Sequence, residues 1–176
     1  MISAARKEQR DHILNAAYSL LHTSVNSDFD AIHSPICQID VVMVAGAPWI
    51  QDGLTRDFLK DESGYRKIGG GANTPQMAYF FRSTANLVHY FKRQGFYTPR
   101  GGSPSPEPGM ACFFDWEDRG RFNFSPDRSG IITKTEDDRV ASIIIAQKNE
   151  GYIVNEVKIE LSDSYDKALV GYSDLP

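Results

Sequence analysis

The chain has 176 residues, 41% of them hydrophobic and 24% charged, with 19 basic against 23 acidic side chains and a formal net charge of −4. That length suits one domain with a sizeable core, so residues 1–176 are expected to form a single domain. The acidic balance argues against nucleic acid as a partner, since backbone binders carry a basic excess or stripe, and the apolar runs are too short for membrane insertion.

The first residues, MISAARKEQRDH, hold no apolar signal core, which points to a cytoplasmic protein, with signal-independent export as the other route. Ile13, Leu14, Ala17, Leu20 and Leu21 then recur at helical spacing and predict an amphipathic helix over about residues 3–22, with Arg6, Lys7, Arg10 and Asp11 mostly off the stripe. Residues 23–33 have turn composition. Ser34 is a good N-cap and Pro35 suits the first helical position, so a helix is expected from there to the stop at Gly46-Ala47-Pro48. Its β-branched content makes a strand the competing reading. Residues 49–73 read as a long connection with one short helical piece near Asp57–Glu62, ending in Gly69-Gly70-Gly71. Thr74-Pro75 repeats the cap-and-proline signal, and helical periodicity through Phe80 and Phe81, resumed by Leu87, Val88 and Phe91, predicts one helix or two before Gly95.

Residues 96–109 hold four of the nine prolines and read as a loop. Strands are predicted at Met110–Trp116, Gly130–Thr135, Val140–Gln147 and Tyr152–Leu161, with Ala168–Tyr172 as a last one. Helices come first, to about residue 95, and strands second, over about 108–172, which is the order of an α+β domain with an antiparallel sheet.

The most suggestive residue for chemistry is Cys37. The Ser34-Pro35 start puts it in the first turn of a helix, where the N-terminal field favours a thiolate. The plainer reading of a free cysteine is a small buried hydrophobe. Cys112, alternating with aromatic neighbours in a strand, reads as packing. The two cysteines exclude a disulfide-dense scaffold and a four-cysteine zinc site, and leave open one Cys37–Cys112 bridge or two free thiols.

Taken in order, HILNAAYSLL, ICQIDVVMVAG, ANLVHYFKRQG, PEPGMACFFDW and PDRSGII resemble the NlpC/CHAP group of papain-like cysteine amidases and peptidases over about residues 11–172. The resemblance implies a papain-like fold, with N-terminal helices packed on a C-terminal antiparallel sheet. It also implies a role for each matching position. Cys37 would be the nucleophile, attacking an amide or isopeptide carbonyl, with a cell-wall peptide as the substrate class. In the group a histidine opens the strand after the paired aromatics; here that position is Arg128, whose guanidinium stays protonated and cannot accept the thiol proton. The polar orienting position on the next strand falls at Gln147 or Asn149. The aspartate of the group's proline-glycine-aspartate turn is replaced by Met110.

Loss of a general base costs about 10²–10⁴-fold, so activity requires another imidazole. His33, four residues before Cys37, is the substitute base to consider, against the reading of a solvated loop histidine. His89 sits on the third predicted helical stretch, and His12 and His22 belong to the first. The expectation is thus a cysteine hydrolase-type domain with an atypical or degraded triad; the alternative is an inactive papain-like fold used as a binding or protein-interaction module. The partner is then a peptide or cell-wall-like substrate, or a protein. No cofactor is expected, and no metal: Asp28, Asp30 and His33 fit no calcium loop, which needs a later glycine and a closing glutamate. Gly69-Gly70-Gly71 lacks the lysine-threonine ending of a phosphate loop and reads as a hinge or lid. The charged run from Asp115 to Arg121 reads as a hairpin tip, with a substrate-facing loop as the alternative.

Overall fold

The computed structural model describes residues 4–22, 49–77, 80–81, 83–115, 128–148 and 152–175. The Ser34–Gly46 expectation lies outside them. The described helices α1 (Ala4–Ser19), α2 (Trp49–Phe58), α3 (Glu62–Gly69) and α4 (Thr84–Gln94) precede a six-stranded antiparallel sheet, so the architecture is α+β. No described helix is long and apolar enough to cross a membrane.

Helix α1 buries Ile13 and Ala17, as its spacing predicts, and also Arg10. Arg10 lies off the apolar stripe and is buried all the same. Burial works against its charge, but Nε donates to Asp174 at 2.7 Å and NH1 to Glu107 at 2.5 Å, and these bonds raise its pKa on balance. Residues 57–62 do not form a helix of their own: they are the junction of α2 and α3, where Asp61 leaves helical geometry and its side chain caps α3 through the Gly64 N–H. At Thr74-Pro75 the described residues form a turn, with Met77 N–H donating to Thr74 O at 2.9 Å, and Phe80 and Phe81 lie in a 3₁₀ turn rather than an α-helix. Asn73 is buried and exchanges amide hydrogen bonds of 2.8 Å with Asn86 in both directions, which ties residues 70–74 to the start of α4. The cap of α4 is instead Ser83, accepting from the Asn86 N–H, and Gly95 closes it in the left-handed region.

The strands are β1 (Tyr97–Pro99), β2 (Ala111–Phe114), β3 (Arg128–Glu136), β4 (Arg139–Lys148), β5 (Tyr152–Lys158) and β6 (Leu169–Ser173), with a short helix α5 (Ser164–Ala168) before the last. Their order is β1-β6-β2-β3-β4-β5. β1 lies inside the stretch expected to be loop. It is an edge strand ended by a proline, a placement that spares the sheet a missing donor. β3 and β4 form a hairpin through Asp137 and Asp138, with φ of 50° and 59°, so both central residues take the left-handed conformation of a type I′ turn.

Strand alternation gives the sheet two faces. Ala111, Phe113, Ile131, Ile144, Ala146 and Val154 pack with Ile13, Ala17, Leu54, Leu87 and Phe91 of the helices. Cys112, Phe114, Ile132, Ile143 and Ile145 form a second cluster on the other face with Ala168, Leu169 and Tyr172. Beyond α1, the His22 N–H donates to Val154 O at 2.9 Å, covering part of the β5 edge.

Candidate functional site at one end of the sheet

The motif Pro108-Gly109-Met110 leads into β2 as a turn whose shape demands glycine. Gly109 has φ +86°, and a Cβ there would lie 2.6 Å from Arg10 O of α1. Gly109 N–H donates to Ile132 O at 2.8 Å, and Ile132 N–H to Met110 O at 2.9 Å, so the turn extends the β2–β3 ladder.

At the other end of β2, Phe114 is paired with Arg128. On β3 and β4, Ile131 faces Ile144 and Ile132 faces Ile143. Carried to the strand end, that register sets Arg128 against Gln147, which is paired in turn with Ile153 on β5. The sequence-predicted base and orienting positions are therefore brought to one end of adjacent strands. Phe114, Arg128 and Gln147 form a row on the face that carries Cys112 and Ile132.

Helix α5 adds a residue that sequence reasoning missed. Gln147 Nε2 donates to Tyr165 Oη at 2.7 Å, and Gln147 Oε1 accepts from Asn155 Nδ2 at 3.4 Å. The Tyr165 ring stands edge-on to Phe114, with centroids 6.0 Å apart. Asp163 caps α5 through the Asp166 N–H, and Arg100 NH2 donates to Asp166 at 2.9 Å. The Asp115 N–H donates to Ala168 O at 2.9 Å, so the end of β2 and the end of α5 are joined directly. By alternation Asp115 and Ser129 belong to the helix-facing side, and both are fully buried. The only cue in the sequence for Tyr165 is the spacing Asp163-Ser164-Tyr165-Asp166, a short capped turn with no link to Gln147.

Cys37, His33, Asp28, Asp30 and Asn149 lie outside the described residues, as does the run from Trp116 to Arg121. Cys112 is fully buried with Sγ 3.5 Å from Gly130 O, and burial pushes its thiol pKa far up, so it is no nucleophile.

His89 is engaged elsewhere. Its Nε2 lies 2.9 Å from Asp61 Oδ2 and its ring stands edge-on to Tyr65. The hydrogen bond from His89, reinforced by Arg93, holds the Asp61 carboxyl below its usual range against the effect of burial. Beside it Asp57, buried, accepts from Tyr65 Oη at 2.8 Å, Arg93 Nε at 2.8 Å and Gln94 Nε2 at 3.2 Å. This web fastens α2, α3 and α4 together. His12 and His22 are exposed on or just past α1. None of these three histidines is hydrogen-bonded to the Arg128 row.

The glycine run closes α3 rather than opening a helix: Gly70 has φ +79° and Arg66 NH1 bonds to Gly71 O. Among the described residues no group of three or more His, Cys, Asp and Glu side chains could hold a metal ion. Compared with known proteins, the chain matches no family model, no curated protein and no solved structure.

Proposed function

We propose that the chain is a divergent papain-like domain of the NlpC/CHAP kind that serves as a peptide-binding or protein-interaction module. The observation that carries this reading is the row Phe114–Arg128–Gln147. Its base position holds a guanidinium, and its orienting glutamine is bonded to a tyrosine rather than to an imidazole. A guanidinium cannot take a thiol proton or return one to a leaving amine. His89, the histidine on the sheet-adjacent helix α4, is committed to Asp61.

A second reading is an active cysteine amidase or peptidase on an amide or isopeptide of a cell-wall peptide. The described first helix, proline-glycine turn and antiparallel strands support it, because they follow one another in the order the resemblance implies; the Cys37 segment lies outside the described residues. In it Cys37 gives its proton to His33, attacks the carbonyl and forms a thioester; His33 returns the proton to the departing amine, and water then releases the acid.

The pH profile of iodoacetamide alkylation separates the two. Cys112 is sealed in the core, so the native protein reports Cys37. The module reading expects the rate to rise around an unperturbed thiol pKa of about 8.5. The hydrolase reading expects an inflection at least about one unit lower, abolished by His33→Ala. Arg128→His is expected to lower the inflection if Cys37 sits beside the base position; an unchanged profile detaches Cys37 from this sheet end.

A further inference from the structure

An open cavity of about 480 Å³ lies at the opposite end of the sheet from Arg128, bordered by Lys134, Glu136, Ser142, Glu156, Lys158 and Glu160. Its volume is in the range of small-ligand sites, roughly 300–1,000 Å³. Along β4 and β5, Ile144 and Val154 are packed under the helices, while Ser142 and Glu156, two residues further along the same face, lie beyond that cover.

A β-bulge shapes the floor. The β3–β4 register jumps between Ile132 and Lys134, leaving Thr133 as the extra residue. Its Oγ1 donates to Glu156 Oε1 at 2.7 Å. Ser142 Oγ lies 3.1 Å from the same oxygen and 3.2 Å from Val157 O, so its one proton is shared between them. The Glu156 carboxylate is thus held in place by hydroxyls, which orient it without neutralising it.

One of the two lining lysines serves a different carboxylate. Lys134 Nζ is 2.5 Å from Glu136 Oε1, and that hydrogen bond, followed by the fields of Lys134, Arg139 and Lys158, lowers the Glu136 pKa. Among the described residues no ammonium or guanidinium lies within 4.0 Å of Glu156 or Glu160. Two lysines against three glutamates leave the lining at a formal charge of −1. Ala141 and Ile159 add apolar surface suited to a methylene stem.

We propose that this cavity binds a ligand carrying one primary ammonium or guanidinium group, the basic side chain of a peptide being the form that suits it, with Glu156 as the receiving carboxylate. Preorganisation by Thr133 and Ser142 means that little side-chain ordering is left for the binding step. This site is separate from the Arg128 row and does not rest on the papain-like reading.

The test is calorimetric titration of the full chain with Nα-acetyl-lysine N-methylamide, its neutral isostere Nα-acetyl-norleucine N-methylamide, cadaverine, and calcium chloride. Saturable binding of the lysine amide is expected, with the norleucine amide at least about tenfold weaker, since a charge-assisted hydrogen bond is lost. Cadaverine binding as tightly as the lysine amide supports the proposal with a free amine as the source; a tighter lysine amide supports it with a peptide. Glu156→Gln should weaken binding at least about tenfold, and Thr133→Val, which keeps the charge but removes one of the two hydroxyls that hold the carboxylate, about two- to fivefold. Glu160→Gln, on an exposed residue, provides a variant outside the hydroxyl brace and should weaken binding about two- to threefold. No saturation below about 10 mM, equal affinity for the norleucine amide, indifference to Glu156→Gln, or displacement of the lysine amide by calcium would each overturn the proposal.

Discussion

Gly109→Ala tests whether helix α1 presses on the turn that leads into β2. Two penalties act at once. An alanine at φ +86° costs about 1–2 kcal/mol of left-handed strain. Its Cβ would also land 2.6 Å from Arg10 O and 2.7 Å from Arg10 Cβ, where non-bonded carbon atoms prefer about 3.5–4.0 Å. Relieving that contact requires a shift of helix or turn by about 1 Å, an overpacking cost of about 1–3 kcal/mol. The total is about 2–5 kcal/mol. Gly95→Ala is the matched control, because Gly95 has φ +74° and nothing within 4 Å of the would-be Cβ. It should lose only the strain, about 1–2 kcal/mol. Equilibrium urea unfolding of both variants gives the difference directly. Equal losses, within about 0.5 kcal/mol, would refute the contact and with it the coupling of α1 to the β2–β3 ladder.

Arg10→Met should cost about 3 kcal/mol, the low end for breaking a buried ion pair, because Arg6 at 3.4 Å still serves Asp174; Glu107→Gln, at the exposed end of the same network, should cost less than about 1 kcal/mol, both read by urea unfolding. The hydrogen bond from His89 holds the Asp61 pKa below its ordinary 3.8, so its stabilising contribution is complete above that pH and is lost as pH falls through the lower folded value. Asp61→Asn should therefore show a shallower loss of stability than the parent on acidification below pH 3.8, measured by denaturant unfolding at each pH. Replacing Asp137 by Asn and Asp138 by Gly suits the left-handed pair in the β3–β4 turn and should raise stability by about 0.5–1 kcal/mol; a loss would mean that the turn is not type I′.

Local chemistry was legible in the sequence and distant pairing was not. Ile13 and Ala17 at helical spacing, the glycine stop at Gly95 and the alternating β-branched runs of β3 to β5 each state their own structure within a few residues. Arg10 does not, because its partner Asp174 lies 164 residues away and nothing near Arg10 announces it. β1 behaves likewise: Tyr97–Pro99 is a strand by virtue of pairing with β6, while its own composition is that of a loop. Thr74-Pro75 misled for a related reason. A cap and a proline are permissive signals; α4 begins after Ser83, whose hydroxyl accepts from the Asn86 N–H, and the Asn73–Asn86 amide pair ties the turn before it to that start. For the candidate site, the resemblance pointed to Arg128 and to Gln147 or Asn149, and the strand register sets Arg128 against Gln147, whereas Tyr165 came to light only through the fold.

That added tyrosine decides what Gln147 is available to do. An orienting amide in a cysteine hydrolase accepts the imidazole N–H through its oxygen; here Gln147 Oε1 accepts from Asn155 Nδ2 at 3.4 Å, and the Nε2 bond to Tyr165 Oη at 2.7 Å holds the amide in that orientation. A double-mutant cycle of Gln147→Ala and Tyr165→Phe isolates this pair from the other contacts each side chain makes. A coupling energy of about 0.5–1.5 kcal/mol is expected, the usual net worth of a hydrogen bond between neutral partners. The pair lies at the sheet end, so this energy should appear in urea unfolding of the protein without ligand. Coupling near zero would refute the assignment and free Gln147 for the orienting role. In that case the alkylation profile of Cys37 should respond to Gln147→Ala as it does to His33→Ala. With the expected coupling it should not respond, because the amide is then part of the sheet's own structure.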